Sequence, residues 1–280
     1  MRSRLSSKSR VTLSPPPLPE PLTSTRSATV ARLRRLHDRK GRTSAGTFLA
    51  EGPDCVRAAV LAGWATSVLA SVDHELTDWV LSQGIRVVPA APRVVDAACD
   101  TASSQGIVAE CSIPRSDLGG LVAGTGPVVV CERISDPGNL GTIIRTAEAV
   151  GAAGVITTEG SVDPWNPKAV RASAGSSFRV PIAPDRPVEA ILAASAEAGR
   201  WSIALAGEAD EDVVAQIQHA RTGGYGPDNL TWVVGSEARG ISVAMRAGVS
   251  ATARLPMAPT VESLNAAVSV SICLYAADWI

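Results

Sequence analysis

Short runs of continuous valine and isoleucine recur along the second half of the chain, and they constrain its fold more than any other feature. From Pro127 onwards the runs are PVVVCERI, GVITTE, RVPIA, WSIALAG, LTWVVGSE and ATARLPM. Most of these runs are followed by a helix-like segment. Strands that are apolar without polar alternation are typical of a parallel sheet covered by helices on both faces. Region 127–280 is therefore predicted to be one α/β domain built on a parallel sheet.

Helix and strand patterns also alternate between residues 29 and 112, which predicts a second, smaller α/β domain. It begins with the basic helix and turn TVARLRRLHDRKGRTSAG. Segment 113–126 scatters Gly, Pro and Ser and is interpreted as a linker. Residues 1–28 are assigned to a disordered, basic and proline-rich tail, because SPPPLPEP and its neighbours cannot build a core.

The charge of the chain is concentrated at its start. Residues 1–43 carry 11 Lys and Arg against two acidic residues, although the whole chain has a net charge of −1. A basic arm of this kind attracts the phosphate backbone of nucleic acids. The alternative is a solvated disordered segment, which we favour for residues 1–25. No apolar run reaches the roughly 18–20 residues that a bilayer-spanning helix needs.

The cysteines and histidines give no sign of a disulfide framework or a metal site. The five cysteines are odd in number and never spaced as C-x-x-C, and the three histidines are isolated from one another. This usage is typical of a reduced, cytoplasmic compartment. We therefore expect no metal and a cytoplasmic protein.

Several common catalytic motifs are absent from the sequence. There is no G-x-x-x-x-G-K-[ST] phosphate loop, no G-x-G-x-x-G after a strand and no G-x-S-x-G elbow. No histidine lies in the segments that directly follow the predicted strands PVVVCERI, LTWVV and ATARL. The chemistry of a site there must come from Asn, Arg, Ser, Glu and backbone groups.

The stretch DPGNLGTIIRTAEAVGA directly follows a buried-looking strand, where ligands of parallel sheets bind. Asn139 either caps the helix that begins here or belongs to a site. Arg145 adds positive charge near the positive end of that helix, which disfavours a purely structural role. Contact with a phosphate or ribose explains it, and an ion pair with Glu132 or Glu237 is the alternative.

Two later strands end in similar stretches. GSEARG supplies approachable backbone at Gly235 and Gly240 and a carboxylate at Glu237. In VESLNAAVSV, Ser263 is interpreted as the N-cap of the last helix, with Asn265 in its first turn. We expect the three strand ends to converge on one pocket.

In this order and spacing, DPGNLGTIIRTAEAVGA, WVVGSEARGIS and LPMAPTVESLNAAVSVSICLY resemble the three motifs of the SpoU (TrmH-like) branch of the SPOUT RNA methyltransferases. RLHDRKGRTSAGTFLAEGPDCVRAAV resembles the start of the L30e-like RNA-binding domain that often precedes the catalytic domain. The resemblance covers roughly residues 29–280. It implies an L30e-like domain at 29–112 and, at 127–280, a SPOUT domain whose C-terminal part forms a trefoil knot.

The resemblance also implies a cofactor and an assembly. S-adenosylmethionine would bind in the knot, and the family works as a homodimer with its active site near the dimer interface. Carried over to this sequence, the implied cofactor-binding residues are Leu205, Ala206, Gly207, Gly235, Glu237, Gly240, Leu255, Pro256, Met257, Ser263 and Leu264.

The implied reaction is methylation of a ribose 2′-hydroxyl, with Arg145 as the catalytic arginine. Asn139, Glu237, Ser263 and Asn265 would orient it and the ribose. A guanidinium with a pKa above about 12 is a poor base, so Arg145 could instead stabilise the developing alkoxide and hold the adjacent phosphate. The sequence leaves this choice open.

RNA contacts are expected from basic residues of the first helices and of the segment after the first motif: Arg32, Arg34, Arg35, Arg39, Lys40, Arg42, Arg171 and Arg179. The alternative for each is a solvated surface position. The two-domain layout favours 23S-type rRNA as substrate, as a housekeeping or an antibiotic-resistance modification. A tRNA 2′-O-methyltransferase and a non-catalytic RNA-binding protein are the alternatives, and a nicotinamide oxidoreductase is disfavoured by the missing glycine fingerprint.

Overall fold

The computed structural model describes residues 18–101, 104–236 and 239–280, and they form two sheets. The smaller sheet has the strand order β1-β4-β2-β3, with β4 antiparallel to β1 and β2 and with β3 parallel to β2. Its elements are α1 (Ala28–Arg35), α2 (Arg39–Ala45), β1 (Thr47–Glu51), α3 (Pro53–Leu61), β2 (Ala65–Ser71), α4 (Thr77–Ser82), β3 (Arg86–Ala90), α5 (Pro92–Ala98) and β4 (Ile107–Ser112).

Order begins before the first helix of this domain. Leu22 forms a parallel bridge with Ala90, in which the Leu22 N–H donates to Pro89 O at 2.9 Å and Leu22 O accepts from the Ala91 N–H at 2.8 Å. These bonds give the free edge of β3 a one-residue partner. Part of the segment that the sequence assigns to a tail is thus paired with the sheet, and residues 1–17 lie outside the described part.

Segment 113–126, the predicted linker, packs on the second domain. It contains the short helix α6 (Leu118–Val122), in which Leu121 and Val122 are buried. The buried guanidinium of Arg200 donates to Val122 O, Gly124 O and Gly126 O, and so satisfies carbonyls that the turn leaves free.

The larger sheet confirms the predicted parallel architecture. Its order is β10-β8-β9-β5-β6-β7, and every pairing is parallel. Val128, Val129 and Val130 of the central strand are all fully buried, as a sheet covered on both faces requires. The elements are β5 (Val128–Glu132), α7 (Pro137–Ala149), β6 (Gly154–Thr158), α8 (Pro167–Ala172), β7 (Ile182–Arg186), α9 (Val188–Glu197), β8 (Trp201–Leu205), α10 (Val213–Thr222), β9 (Leu230–Gly235), α11 (Val243–Gly248), β10 (Ala251–Ala253) and α12 (Ala266–Trp279).

Two helix caps differ from the sequence interpretation. Asp136, not Asn139, caps α7, and its Oδ1 accepts from the Asn139 N–H at 2.8 Å. Proline suits the first helical position because it has no N–H to satisfy there, so the cap is the residue before Pro137. Asn265, not Ser263, caps α12, with its Oδ1 accepting from the Ala267 and Val268 N–H groups.

α12 is also the longest helix that the described residues contain, at 14 residues. None of the helices seen there combines the length and the apolar character needed to cross a bilayer.

Candidate active site

A cavity of about 150 Å³ lies at the carboxyl ends of β8, β9 and β10. The strands bring these ends together, because β8 lies between β10 and β9 in the sheet. Of the predicted cofactor residues, those that line the cavity are Leu205, Ala206, Gly207, Gly235, Gly240, Leu255, Met257, Ser263 and Leu264. Pro256 does not line it, and Glu237 lies outside the described residues.

Glycine is required where the second motif closes the cavity. A Cβ on Gly235 would lie 2.5 Å from the backbone carbon and oxygen of Gly240, inside contact distance. Gly240 itself has φ of +58° and pairs with Ser236 across the turn, its N–H donating to Ser236 O at 2.8 Å. This left-handed conformation favours glycine. The wall of the cavity is therefore backbone folded closely on itself.

The lining suits an uncharged aromatic ring joined to a sugar. Leu205, Leu255 and Met257 offer apolar contact, and Glu262 and Ser263 offer acceptors for hydroxyl groups.

Neither Arg nor Lys is among the described lining residues. A dinucleotide pyrophosphate normally finds cationic or helix-terminal donors. At the start of α12 the Ala267 and Val268 N–H groups already donate to Asn265 Oδ1, so the lining fits adenosine without phosphate, as in S-adenosylmethionine.

The first and third motifs meet beside the cavity. Asn265 Nδ2 donates to Asn139 Oδ1 at 2.9 Å, which joins the first turn of α7 to the start of α12. The neighbours of Asn265 in the chain, Leu264 and Ala266, both line the cavity. The predicted convergence of these two strand ends is thus present within one chain.

Arg145 does not line this cavity. It lies six residues beyond Asn139 on α7, about 9 Å along the helix axis, and its side chain is exposed. Within the described residues it makes no ion pair, and Glu132, one suggested partner, is occupied elsewhere: Glu132 accepts from the Ser242 N–H at 3.0 Å and lies 3.8 Å from Arg133. Arg145 therefore presents its guanidinium to solvent in the single chain.

Comparison with known proteins places both domains. A model of the SpoU rRNA Methylase family matches residues 126–275, and a model of the MRM3-like substrate binding domain matches residues 27–109. The chain belongs to the SpoU rRNA methylase family.

Several relatives and solved structures align with most of the chain. An uncharacterized tRNA/rRNA methyltransferase of Synechocystis is 31% identical over 91% of this chain and 92% of its own. A 23S rRNA (uridine(2479)-2′-O)-methyltransferase of Streptomyces viridochromogenes is 31% identical over 86% of both chains. The crystal structure of an AdoMet-bound rRNA methyltransferase from Sinorhizobium meliloti superposes with a TM-score of 0.82 at 28% identity, covering 93% of this chain and 97% of its own. The fold is thus that of the SPOUT methyltransferases.

The sequence suggested Glu132 only as an ion-pair partner of Arg145, and it gave no signal for Glu262, which lines the cavity of this SpoU-family site. Glu132, the last residue of β5, is buried and pairs in register with Gly235 of β9. Its carboxylate holds the Ser242 N–H and thereby fastens the far end of the second-motif loop to the central strand. The signal available was its position, a charged residue closing a continuous valine run.

The predicted RNA contacts of the SpoU-family chain fall into three groups. Arg34, Arg35 and Lys40 are exposed and lack ion-pair partners within the described residues. Four others are exposed or partly exposed but paired: Arg32 with Glu110, Arg39 with Asp185, Arg171 with Glu51 and Arg179 with Glu148.

Arg42 is the exception, because only 2% of its side chain is exposed and it binds Asp163. The RNA contact expected of it is wrong, since a buried and fully paired guanidinium cannot reach a phosphate.

The cysteines add no nucleophile to the site. All five are free and buried. Burial raises the pKa of Cys131 and of Cys273 to about 12, so both stay neutral thiols at physiological pH. Across the described residues no group of three His, Cys, Asp or Glu side chains could hold a metal ion.

Proposed function

We propose that this protein transfers a methyl group from S-adenosylmethionine to the 2′-oxygen of a ribose in 23S-type rRNA. The observation that carries the proposal is the single cavity formed by the ends of β8, β9 and β10, with the Asn139–Asn265 pair at its edge. Relatives named as 23S rRNA 2′-O-methyltransferases, such as RlmP of Bacillus subtilis at 28% identity over 90% of this chain, support the substrate class.

The cofactor would be held mainly by backbone and small side chains. Leu205–Gly207, Gly235–Ser236 and Leu255 would surround its adenosine, and Glu262 or Ser263 would accept from its ribose hydroxyls. When bound, the cofactor supplies an electrophilic sulfonium methyl group. The enzyme must then place the substrate oxygen in line with that methyl at near-attack distance.

The protein's own polar groups would handle the substrate. The Asn139–Asn265 pair fixes two amides at the mouth of the cavity, where they can orient the target ribose. The Arg145 guanidinium stabilises negative charge that develops on the 2′-oxygen and holds the neighbouring phosphate through paired N–H donors. Glu237 of the second motif lies outside the described residues. We propose that it acts together with Asn139, Asn265 and Arg145.

A homodimer would bring Arg145 to such a site. Along α12, Val268, Ile272 and Trp279 lie on one stripe and are 47%, 44% and 79% exposed. A self-complementary apolar stripe of this kind is suited to a two-fold interface. Thr146, next to Arg145, contacts Ser271 of α12 at 3.0 Å, so Arg145 borders the stripe and can enter the cavity of the second protomer.

The five buried free cysteines are suited to a reducing compartment, and we propose a cytoplasmic location on that basis.

The direct test is methyl transfer from labelled S-adenosylmethionine to unmodified ribosomal RNA, followed by mapping of the modified position. Incorporation at one 23S nucleotide is expected. Labelling of tRNA in preference to rRNA would reassign the substrate, and cofactor binding without any transfer would leave an RNA-binding protein on the same fold.

The dimer can be tested separately by mixing Arg145→Ala with Gly235→Ala at a cofactor concentration too low to fill the Gly235→Ala cavity, so that each variant alone is nearly inactive. If one protomer's arginine serves the other's cavity, the mixture regains activity. No recovery in a mixture shown to exchange subunits would place Arg145 in its own chain's site.

A further inference from the structure

The two domains share an interface with the character of a protein core. Phe48 and Trp64 of the substrate-binding domain face Trp165 and Phe178 of the methyltransferase domain. The ring centroids are 4.9 Å apart for Phe48–Trp165, 5.7 Å for Phe48–Phe178 and 5.5 Å for Trp64–Phe178. Interfaces between domains are usually mobile unless they are large and hydrophobic. Contacts within this aromatic cluster stabilise the association of the two domains.

The cluster alone does not fix an orientation, because hydrophobic contact is not directional. A buried ion pair beside it does. Arg42 Nε donates to Asp163 Oδ2 at 2.7 Å, and its Nη2 lies 2.6 Å from the same oxygen. Its Nη1 donates to Leu36 O and His37 O at 2.8 and 2.7 Å, within its own domain. Rotating one domain against the other would leave a buried charge without its partner, which is strongly unfavourable.

Arg171 and Glu51 form a second cross-domain ion pair. Arg171 donates to Glu51, whose side chain is almost fully buried and whose other oxygen accepts from the Asp100 N–H at 2.8 Å.

Backbones also approach closely: a Cβ on Gly175 would lie 3.1 Å from Ala58 Cβ. Together with the more exposed Arg39–Asp185 pair, these two directional ion pairs and the apolar cluster define one relative orientation.

We propose that Arg42 and Asp163 are positioning residues that hold the substrate-binding domain in one orientation on the methyltransferase domain. The distance between the exposed basic side chains Arg34, Arg35 and Lys40 and the cofactor cavity is then fixed. That distance selects which ribose of a bound RNA reaches the methyl donor. The rigid orientation is inferred from the interface alone. Its effect on the choice of ribose rests on the proposed methylation of rRNA.

Asp163→Asn tests the pair with little other change. An asparagine Oδ1 can still accept from the Trp165 N–H, which Asp163 accepts at 3.0 Å, so the local turn is kept while the cross-domain charge is lost. With ribosomal RNA as substrate, we expect kcat/KM to fall about 10- to 100-fold and the methyl groups to spread to neighbouring nucleotides. The affinity for S-adenosylmethionine should stay within about twofold, since the cavity is untouched.

A stability control separates positioning from simple loosening of the fold. Ile191→Val shortens a buried side chain on α9, away from the interface, and should lower the melting temperature without moving the methylated position. Asp163→Glu, which keeps the charge, should recover part of the fidelity. The proposal is overturned if Asp163→Asn methylates the same single nucleotide with wild-type kcat/KM. It is also overturned if Asp163→Asn and Ile191→Val have equal melting temperatures and lose equal activity and positional fidelity.

A second measurement does not depend on the RNA substrate. Spin labels on Arg86→Cys and Glu197→Cys, both at exposed positions in different domains, report the interdomain distance, and the native cysteines are all buried. A single narrow distance is expected in the wild-type background and a broadened one with Asp163→Asn. Equal broad distributions in both would refute the fixed orientation, whereas a narrow distance in a protein that methylates no rRNA would count against the proposed function only.

Discussion

The cofactor cavity and the domain interface of this protein are built in opposite ways. The cavity is walled by backbone turns and small residues, with Gly235 packed against Gly240. The interface is built by large side chains, with a buried arginine and four aromatic rings. A small cofactor whose structure does not vary can be bound by a cavity shaped from backbone. Two domains are held in one orientation by directional contacts between side chains.

Substitutions should therefore act differently in the two regions. A change in the cavity should alter cofactor binding or turnover and leave the fold intact. A change in the interface should alter stability and RNA selection and leave cofactor binding intact. Each of the following predictions can break this division.

The largest effect is expected for a substitution of Arg145, the proposed catalytic residue. Arg145→Ala should lower kcat by about 10³-fold, because removal of one preorganised donor to a developing oxyanion costs about that much. Cofactor affinity should stay within about twofold, as measured by calorimetry. Arg86→Ala, an exposed arginine on β3, is the control. Unchanged turnover in Arg145→Ala would remove this residue from the mechanism.

Gly235→Ala should weaken S-adenosylmethionine binding by about 10²-fold, because the added methyl group meets Gly240 backbone at 2.5 Å and displaces the cavity wall. The strained turn should also lower the melting temperature of the cofactor-free protein by a few degrees, so binding is compared well below the unfolding transition. Gly226→Ala is the matched control, since a Cβ there meets nothing within 4 Å. Equal binding by both variants would show that the second-motif turn does not shape the cofactor site.

Phe48→Leu addresses the interface. It should lower the free energy of unfolding by about 1–2 kcal/mol, through lost aromatic contacts with Trp165 and Phe178 and some lost volume. Urea denaturation measures the loss, and a cofactor titration of the same variant should match wild type. A large fall in cofactor affinity would show that the two regions are coupled.

The smallest effect is expected at Asp136, the cap of α7. Asp136→Ala should cost about 1 kcal/mol of stability at neutral pH, and Asp136→Asn much less. The Asn139 N–H, and to a lesser degree the Lys168 charge, lower the pKa of Asp136 in the folded state. The stabilisation by the carboxylate is therefore present above its unfolded-state pKa and is lost as pH falls through the lowered folded-state pKa. The gap between wild type and Asp136→Ala should shrink as pH falls below the unfolded-state pKa of about 3.9. A gap that stays constant on further acidification would contradict this.

The sequence predicted what local patterns determine. Continuous valine runs identified the parallel sheet, and glycines at a strand end identified Gly235 and Gly240 in the cavity wall. The other predicted lining residues came from the resemblance to the SpoU motifs.

The sequence failed where a partner lies far along the chain. Arg42 stands in a basic run that reads as exposed, and Asp163, which buries it, is 121 residues away. The caps were missed for a local reason, because Asp136 before Pro137 competes with Asn139 for the same role.

The central claim is that this cavity serves methyl transfer to a ribose hydroxyl. Once the modified nucleotide is mapped, the most direct measurement uses two synthetic RNA fragments that differ there in a single 2′-deoxy substitution. The account predicts a 2′-O-methylnucleoside by mass spectrometry from the ribose fragment and no methylation of the deoxy fragment, with equal binding of both. Equal methylation of the two fragments would place the methyl group on the base and contradict the account.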